Sequence, residues 1–258
     1  MDLGLRGKTA LVTAGSRGIG RACALALAAE GVRVAVCART AADVANVLEE
    51  LGGEAVGHRG FVCDLLESDA PVRLARQVVE QFQALDIVVH NLGGTLSVRG
   101  IDVPIADWRR VFRANFEVAV EINGVVLPAM LERKSGRIIA ISSLAGDEHQ
   151  GALPYAAAKA ALNAYIRGLG RELAKSGVVV SAVSPGTVLT ENGVWDIRRR
   201  TDPESVEKYI AEKLPAGAFQ RPERIADIVA FLASERATEF TGSVLAADGG
   251  QGRSFVAP

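Results

Sequence analysis

The 258-residue chain has little cysteine, little aromatic content and almost no net charge. Its three cysteines, Cys23, Cys37 and Cys63, are odd in number, far apart and set in apolar runs. There is no Cys-x-x-Cys pair, so neither a disulfide framework nor a metal site is expected. Free thiols in a reducing cytoplasm are the expectation. A formal net charge of −1 provides no basic excess for nucleic acid or an anionic membrane. No window of about 18 unbroken apolar residues occurs, so no membrane span is expected. The N-terminus lacks the apolar stretch of a signal peptide. No Pro/Gly/Ser-rich linker, repeat or low-complexity tract divides the chain, and one domain over residues 1–258 is expected.

What the chain does have is alternation. Short β-rich apolar runs at residues 9–13, 32–37, 60–63, 86–90, 137–142, 178–183 and 243–246 alternate with helical patterns. The helical stretches are 18–30, 41–51, 71–82, 107–133, 155–176 and 223–234. Strands apolar on both faces that alternate with helices imply an α/β fold, a doubly wound parallel sheet of about seven strands covered on both sides. Residues 189–219 interrupt this rhythm. They are polar, carry Arg198-Arg199-Arg200 and are expected to act as a substrate-binding loop or lid.

The first strand runs into Thr13-Ala14-Gly15-Ser16-Arg17-Gly18-Ile19-Gly20, which opens the first helix. Small residues let the backbone approach a pyrophosphate, and a helix N-terminus offers free N–H groups. The spacing differs from G-x-G-x-x-G, so that motif is not claimed. The second strand ends in Ala38-Arg39, where dinucleotide-binding folds place a carboxylate for the ribose hydroxyl. Two guanidiniums, Arg17 and Arg39, suit a 2′-phosphate instead, so NADP(H) is favoured over NAD(H).

Tyr155 and Lys159 are four residues apart, one helical turn on one face. A phenol is a poor base at neutral pH, and a nearby ammonium is expected to lower its pKa. Such pairs are common on solvated helices, so spacing alone carries little. Ser142-Ser143 ends the preceding strand, where ligands of parallel sheets bind. Asn115 lies inside the long helix, where a buried amide needs partners or a role.

Taken together, these motifs resemble the short-chain dehydrogenase/reductase family over essentially the whole chain, and in particular its 3-oxoacyl-(acyl-carrier-protein) reductase-like members. Thr13 to Gly20 is similar to that family's TGxxxGxG turn, with Ala14 replacing its first glycine. Val62-Cys63-Asp64-Leu65 resembles its adenine-contacting segment, and His90-Asn91-Leu92-Gly93 its NNAG, matched at Asn91 and Gly93. Tyr155 to Lys159 fits YxxxK, and Pro185-Gly186 with Val188 and Thr190 resembles the PGxxxT segment that closes over the nicotinamide. The resemblance implies a Rossmann-like fold and a catalytic set of Asn115, Ser143, Tyr155 and Lys159. Tyr155 would be the general acid/base and Lys159 would lower its pKa and hold the ribose. Ser143 would orient the substrate oxygen and Asn115 would position a relay water. The serine-to-tyrosine spacing is one residue short from Ser143 and is satisfied by Ser142, whereas strand register favours Ser143.

The implied activity is hydride transfer to a ketone by an NADPH-dependent carbonyl reductase, reversible as a secondary alcohol dehydrogenase. The substrate is a small-molecule ketone or alcohol, with an acyl thioester one class the resemblance allows. An NAD-linked dehydrogenase and a non-catalytic dinucleotide sensor are the alternatives. Thr95, Leu96, Ser97, Asp147, Glu148, His149, Gln150, Trp195 and the three arginines are candidates for the substrate side. The resemblance further implies a homotetramer or homodimer.

Overall fold

Successive residues of a strand face opposite sides of a sheet, and here each side has its own core. Residues 2–148 and 151–253 are described by a computed structural model. Its strands are β1 (Thr9–Val12), β2 (Arg33–Ala38), β3 (Arg59–Val62), β4 (Ile87–His90), β5 (Gly136–Ile141), β6 (Val178–Pro185) and β7 (Val244–Ala247). All pair in parallel in the order β3-β2-β1-β4-β5-β6-β7. Ala10, Val12, Val34, Val36, Val89 and Ile139 face one core; Leu11, Ala35, Val88, Ile138 and Ala140 face the other. The alternating assignment of an unbroken apolar run is what a doubly covered parallel sheet requires.

The first core is closed by α1 (Gly18–Ala29), α2 (Ala41–Leu51) and α9 (Pro222–Ala233). The second is closed by α3 (Ala70–Phe82), α5 (Val118–Glu132) and α6 (Leu153–Leu173). Val118, Ile122, Val126 and Met130 are buried at every fourth position of α5, which gives the helix its inward stripe. Each such side chain contributes roughly 1.5–3 kcal/mol by leaving water. The stretch Ile105–Glu132 is long and apolar enough to cross a membrane by length and composition. Its buried stripe makes it a core helix.

Several expected boundaries move. The single helix expected over 107–133 is α4 (Ile105–Phe112) and α5, joined by a π-helical turn at Arg113–Glu117. Such wide turns cluster at functional sites, and Asn115 sits in this one. The 155–176 helix starts two residues earlier at Leu153, because Pro154 occupies its first turn without loss. The excursion at 189–219 is not a bare loop: it holds α7 (Val194–Thr201) and α8 (Pro203–Lys213). Short helices were open to this stretch, but its polar sequence offers no apolar periodicity to fix their bounds. These, with the split long helix, give nine α-helices among the described residues, against about six major helices expected.

The order reverses direction between β1 and β4, and open sheets of this kind bind ligands where the carboxyl ends of such strands part. Here the two ends are stapled together. Thr13 Oγ1 accepts from Asn91 N (2.9 Å) and Leu92 N (3.1 Å). Asn91 Nδ2 donates back to the carbonyls of Thr13 and Ala14, both at 3.1 Å.

Behind this staple lies a buried polar chain. Asn123 Nδ2 donates to Tyr165 Oη (3.1 Å), which leaves its Oδ1 to accept from His90 Nε2 (2.8 Å). The proton is therefore on Nε2, and the buried Nδ1 has no protein partner. Burial pushes the His90 pKa down to about 4. The unfolded chain takes up this proton near pH 6.5 and the folded one only near pH 4, so stability from neutral His90 falls as pH drops through that window. Urea unfolding of the wild type should lose about 3 kcal/mol more between pH 7 and pH 4 than His90→Gln does. Equal pH dependence of the two would refute the assignment.

Candidate active site

The glycine turn is shaped by close approach. Gly18 has φ +55°, and a β-carbon there would lie 3.1 Å from Thr190 Cγ2. A β-carbon on Gly20 would lie 2.5 Å from the Ala14 carbonyl and 2.3 Å from Asn91 Nδ2, too near for any side chain. One on Gly15 would meet Val36 Cγ1 at 2.9 Å. Ala14 itself has φ 50°, a conformation that glycine adopts more readily. No side chain caps the N-terminus of α1, so its first-turn N–H groups and dipole are open to an anion. Ser16 and Ile19 line the same turn, both half-buried.

Arg17, within this turn, and Arg39, just after β2, are both exposed. Arg39 follows directly on β2, and no carboxylate stands between it and the end of that strand. Asp64 and Leu65 follow β3. Asp64 Oδ1 accepts from Leu66 N at 3.0 Å, which folds the loop back on itself, and Leu65 is buried. Together these residues leave a cradle with free N–H groups at its floor and cationic groups at its edge, which fits a phosphorylated dinucleotide.

The catalytic candidates converge from three elements. Tyr155 and Lys159 lie one turn apart on α6, with Lys159 Nζ 5.8 Å from the tyrosine ring centroid. Lys159 is buried, and Nζ donates to the Ile141 carbonyl at the end of β5 (2.7 Å). Removal from water lowers its pKa to about 7. Gly93 marks where Lys159 meets Asn115: a β-carbon there would lie 2.6 Å from Asn115 Oδ1 and 3.1 Å from Lys159 Nζ. The Asn115 side chain clasps Gly94, accepting from its N and donating to its O, each at 2.9 Å, and donates to the Val111 carbonyl (2.8 Å). Its amide thus holds the loop after β4 against the π-turn.

The two serines separate cleanly. The Ser143 side chain lies where it acts on Tyr155, drawing the phenol pKa down, and its Oγ accepts from Ala145 N (3.2 Å). With that acceptor role filled, its own proton is free to point at the phenol or at a carbonyl oxygen. Ser142 is buried and bonded to Asn163 Oδ1, away from the tyrosine. The serine that acts on the tyrosine is the one strand register favours and not the one the residue count favours. One expectation is corrected: the Tyr155 pKa is raised, not lowered. Desolvation raises it, the nearby Ser143 hydroxyl pulls it down, and the lysine is itself desolvated.

The sequence reading missed Asn163. It extends the four-residue stride from Tyr155 through Lys159, and it is almost fully buried. It bonds Ser142 and donates to Asp147 Oδ1 (3.1 Å). That stride was the available signal.

On the substrate side, the candidates scatter. Leu96 and Ser97 have φ 51° and 65°. Asp147 is 3.5 Å from Arg167, and Glu148 accepts from Arg253 N. His149 and Gln150 lie outside the described residues. Trp195 stacks on Tyr209 and Phe219 at 4.1 and 5.3 Å. Arg199 and Arg200 pair with Asp196, and Arg198 bonds Ser205 and sits 5.5 Å over Trp195. The arginine run is thus bound up within its own helices.

Known proteins are similar to this chain in sequence and fold. The family model described as short chain dehydrogenase matches residues 8–198. A 3-oxoacyl-[acyl-carrier-protein] reductase of Synechocystis sp. is 36% identical, covering 95% of this chain and 97% of that protein. The structure of a 3-oxoacyl (acyl-carrier-protein) reductase from Agrobacterium tumefaciens with NADP bound superposes with a TM-score of 0.89 at 31% identity, over 96% of both chains. L-sorbose reductase from Gluconobacter frateurii, complexed with NADPH and L-sorbose, gives 0.90 at 27% identity, over 99% of this chain and 100% of that one.

The serine geometry yields a two-sided test. Ser143→Ala should lower turnover about a hundredfold with little change in stability. Ser142→Ala should keep turnover and cost about 1–3 kcal/mol by stranding Asn163. Steady-state kinetics beside thermal melts decide it, and the reverse pattern would exchange the two roles.

Proposed function

The chain belongs to the short-chain dehydrogenase family, and from that premise we propose that it is an NADPH-dependent ketoreductase with Tyr155 as general acid. The observation that carries this reading is the buried Lys159, one turn from Tyr155 with Nζ 5.8 Å from its ring and bonded to the Ile141 carbonyl at 2.7 Å. When bound, the nicotinamide supplies the hydride that goes to the carbonyl carbon. The residues of the chain handle the proton and the geometry.

A phenol whose pKa is raised is protonated at neutral pH and stands ready to donate to the carbonyl oxygen. Ser143 gives that oxygen a second hydrogen bond, so charge developing there is met by two donors. Tyr155 regains its proton from the Lys159 side. An ammonium with a pKa about 7 releases and takes up protons readily at neutral pH. Asn115, beside Lys159 at Gly93, holds the wall past which that proton leaves. The N–H groups at the start of α1, with Gly15, Ser16, Gly18, Ile19 and Gly20, would hold the pyrophosphate. Arg17 and Arg39 would hold the 2′-phosphate, Asp64 and Leu65 the adenine end, and Pro185, Gly186, Val188 and Thr190 the nicotinamide end. Thr13 and Asn91 serve by stapling β1 to β4.

Acyl-thioester reductases and a sugar reductase both stand among the similar proteins, so the proposal extends to ketones of either kind. That Arg39 and not a carboxylate directly follows β2 weighs against an NAD-linked dehydrogenase.

Tyr155→Phe should lower kcat/KM about a thousandfold while NADPH affinity, read by fluorescence titration, stays within about threefold. A fully active variant would end the mechanism. Arg39→Ser should weaken NADPH binding about tenfold, as for a lost charge-assisted bond, and leave NADH binding unaltered. If the wild type binds NADH more tightly than NADPH, the cofactor reading fails.

A further inference from the structure

Gln251 belongs to none of the motifs, yet its side chain is the most connected amide near the cofactor-closing segment. It is 6% exposed and joins three stretches remote in sequence. Its Oε1 accepts from Thr187 N (2.8 Å). Its Nε2 donates to Thr187 Oγ1 (3.0 Å) and to Tyr209 Oη (3.1 Å). Thr187 Oγ1 and Tyr209 Oη are themselves 2.9 Å apart. An amide is the group this knot needs, with one acceptor for a backbone N–H and two donors for two hydroxyls. The approach is tight: a β-carbon on Gly186 would lie 2.6 Å from Gln251 Oε1.

Each end of the knot leads somewhere. Thr187 heads the segment that runs to Thr190, whose methyl lies against the glycine turn at Gly18. Gln220 braces that segment from its other side: Oε1 accepts from Gly186 N (3.0 Å), and its backbone bonds Thr187 and Leu189. Tyr209 sits on α8 in the aromatic cluster with Trp195 of α7 and Phe219. The excursion on the substrate side is thereby tied to the wall of the cofactor cradle at one knot, the direct Thr187–Tyr209 contact with the buried Gln251 amide bonded to both.

We propose that Gln251 is a positioning residue that latches Thr187 to Tyr209, so that the cofactor-closing segment and the α7–α8 excursion are held as one unit. This rests on the reading of residues 185–190 as the closing segment. The experiment compares wild type, Gln251→Met, Tyr209→Phe and the double variant. NADPH affinity is read by fluorescence titration, and amide exchange of residues 187–190 in the cofactor-free protein.

Gln251→Met should weaken NADPH binding about tenfold, with KM for NADPH rising more than kcat falls, and should speed exchange at 187–190. Tyr209→Phe should weaken binding about threefold, and the double variant should match Gln251→Met, since both act through one knot. Unaltered exchange and affinity in Tyr209→Phe, or additive losses in the double variant, would overturn the latch, even if Gln251→Met fails to fold. A wild type that binds no NADPH would instead strike the cofactor reading, and the exchange data would still judge the latch.

Discussion

Lys159 is held out of water, with its ammonium on the Ile141 carbonyl at the end of β5, and much of the molecule answers to that placement. A buried charge is costly unless paired, so the group sits at the edge of its charged range, with a pKa near 7. To bring it there, α6 must pack directly on the carboxyl edge of the sheet. Gly146 permits this: a β-carbon on it would lie 2.9 Å from the Lys159 backbone. The same packing stands Tyr155 against Ser143 and sets Asn163 under Ser142. One helix thereby fixes the proposed acid, the group proposed to reprotonate it and the serine beside it.

The cofactor side rests on the opposite device, open backbone. The glycines after β1 keep side chains away from the first turn of α1, and the Thr13–Asn91 staple holds that turn against the neighbouring strand. Ala14 keeps the required left-handed φ despite its methyl group, because the surrounding hydrogen bonds determine the backbone there. Rigid walls around an uncapped helix end make an anion site that needs no reorganisation to receive its ligand.

The parallel sheet, the glycine turn and the Tyr155–Lys159 stride were legible because each depends on local pattern: periodicity, small residues, or one helical turn. Asn115 was legible as an amide in an apolar helix and, through the resemblance, as a member of the implied catalytic set, but the π-turn that accommodates it was not. Short helices were open to residues 189–219, but the bounds of α7 and α8 were not legible, because their faces are polar and pack through a few aromatics. The His90–Asn123–Tyr165 chain and the Gln251 knot join residues that share no spacing, so no pattern could announce them.

The sequence by itself determined the order of elements, the two apolar faces of the sheet and the ordered motifs that mark the family. These follow from covalent spacing and the periods of strand and helix. Only the tertiary structure decided which serine meets the tyrosine, that burial raises rather than lowers the phenol pKa, and that Asn115 and Lys159 converge at Gly93. Those facts depend on which groups lose water together, and desolvation is a property of packed neighbours far apart along the chain.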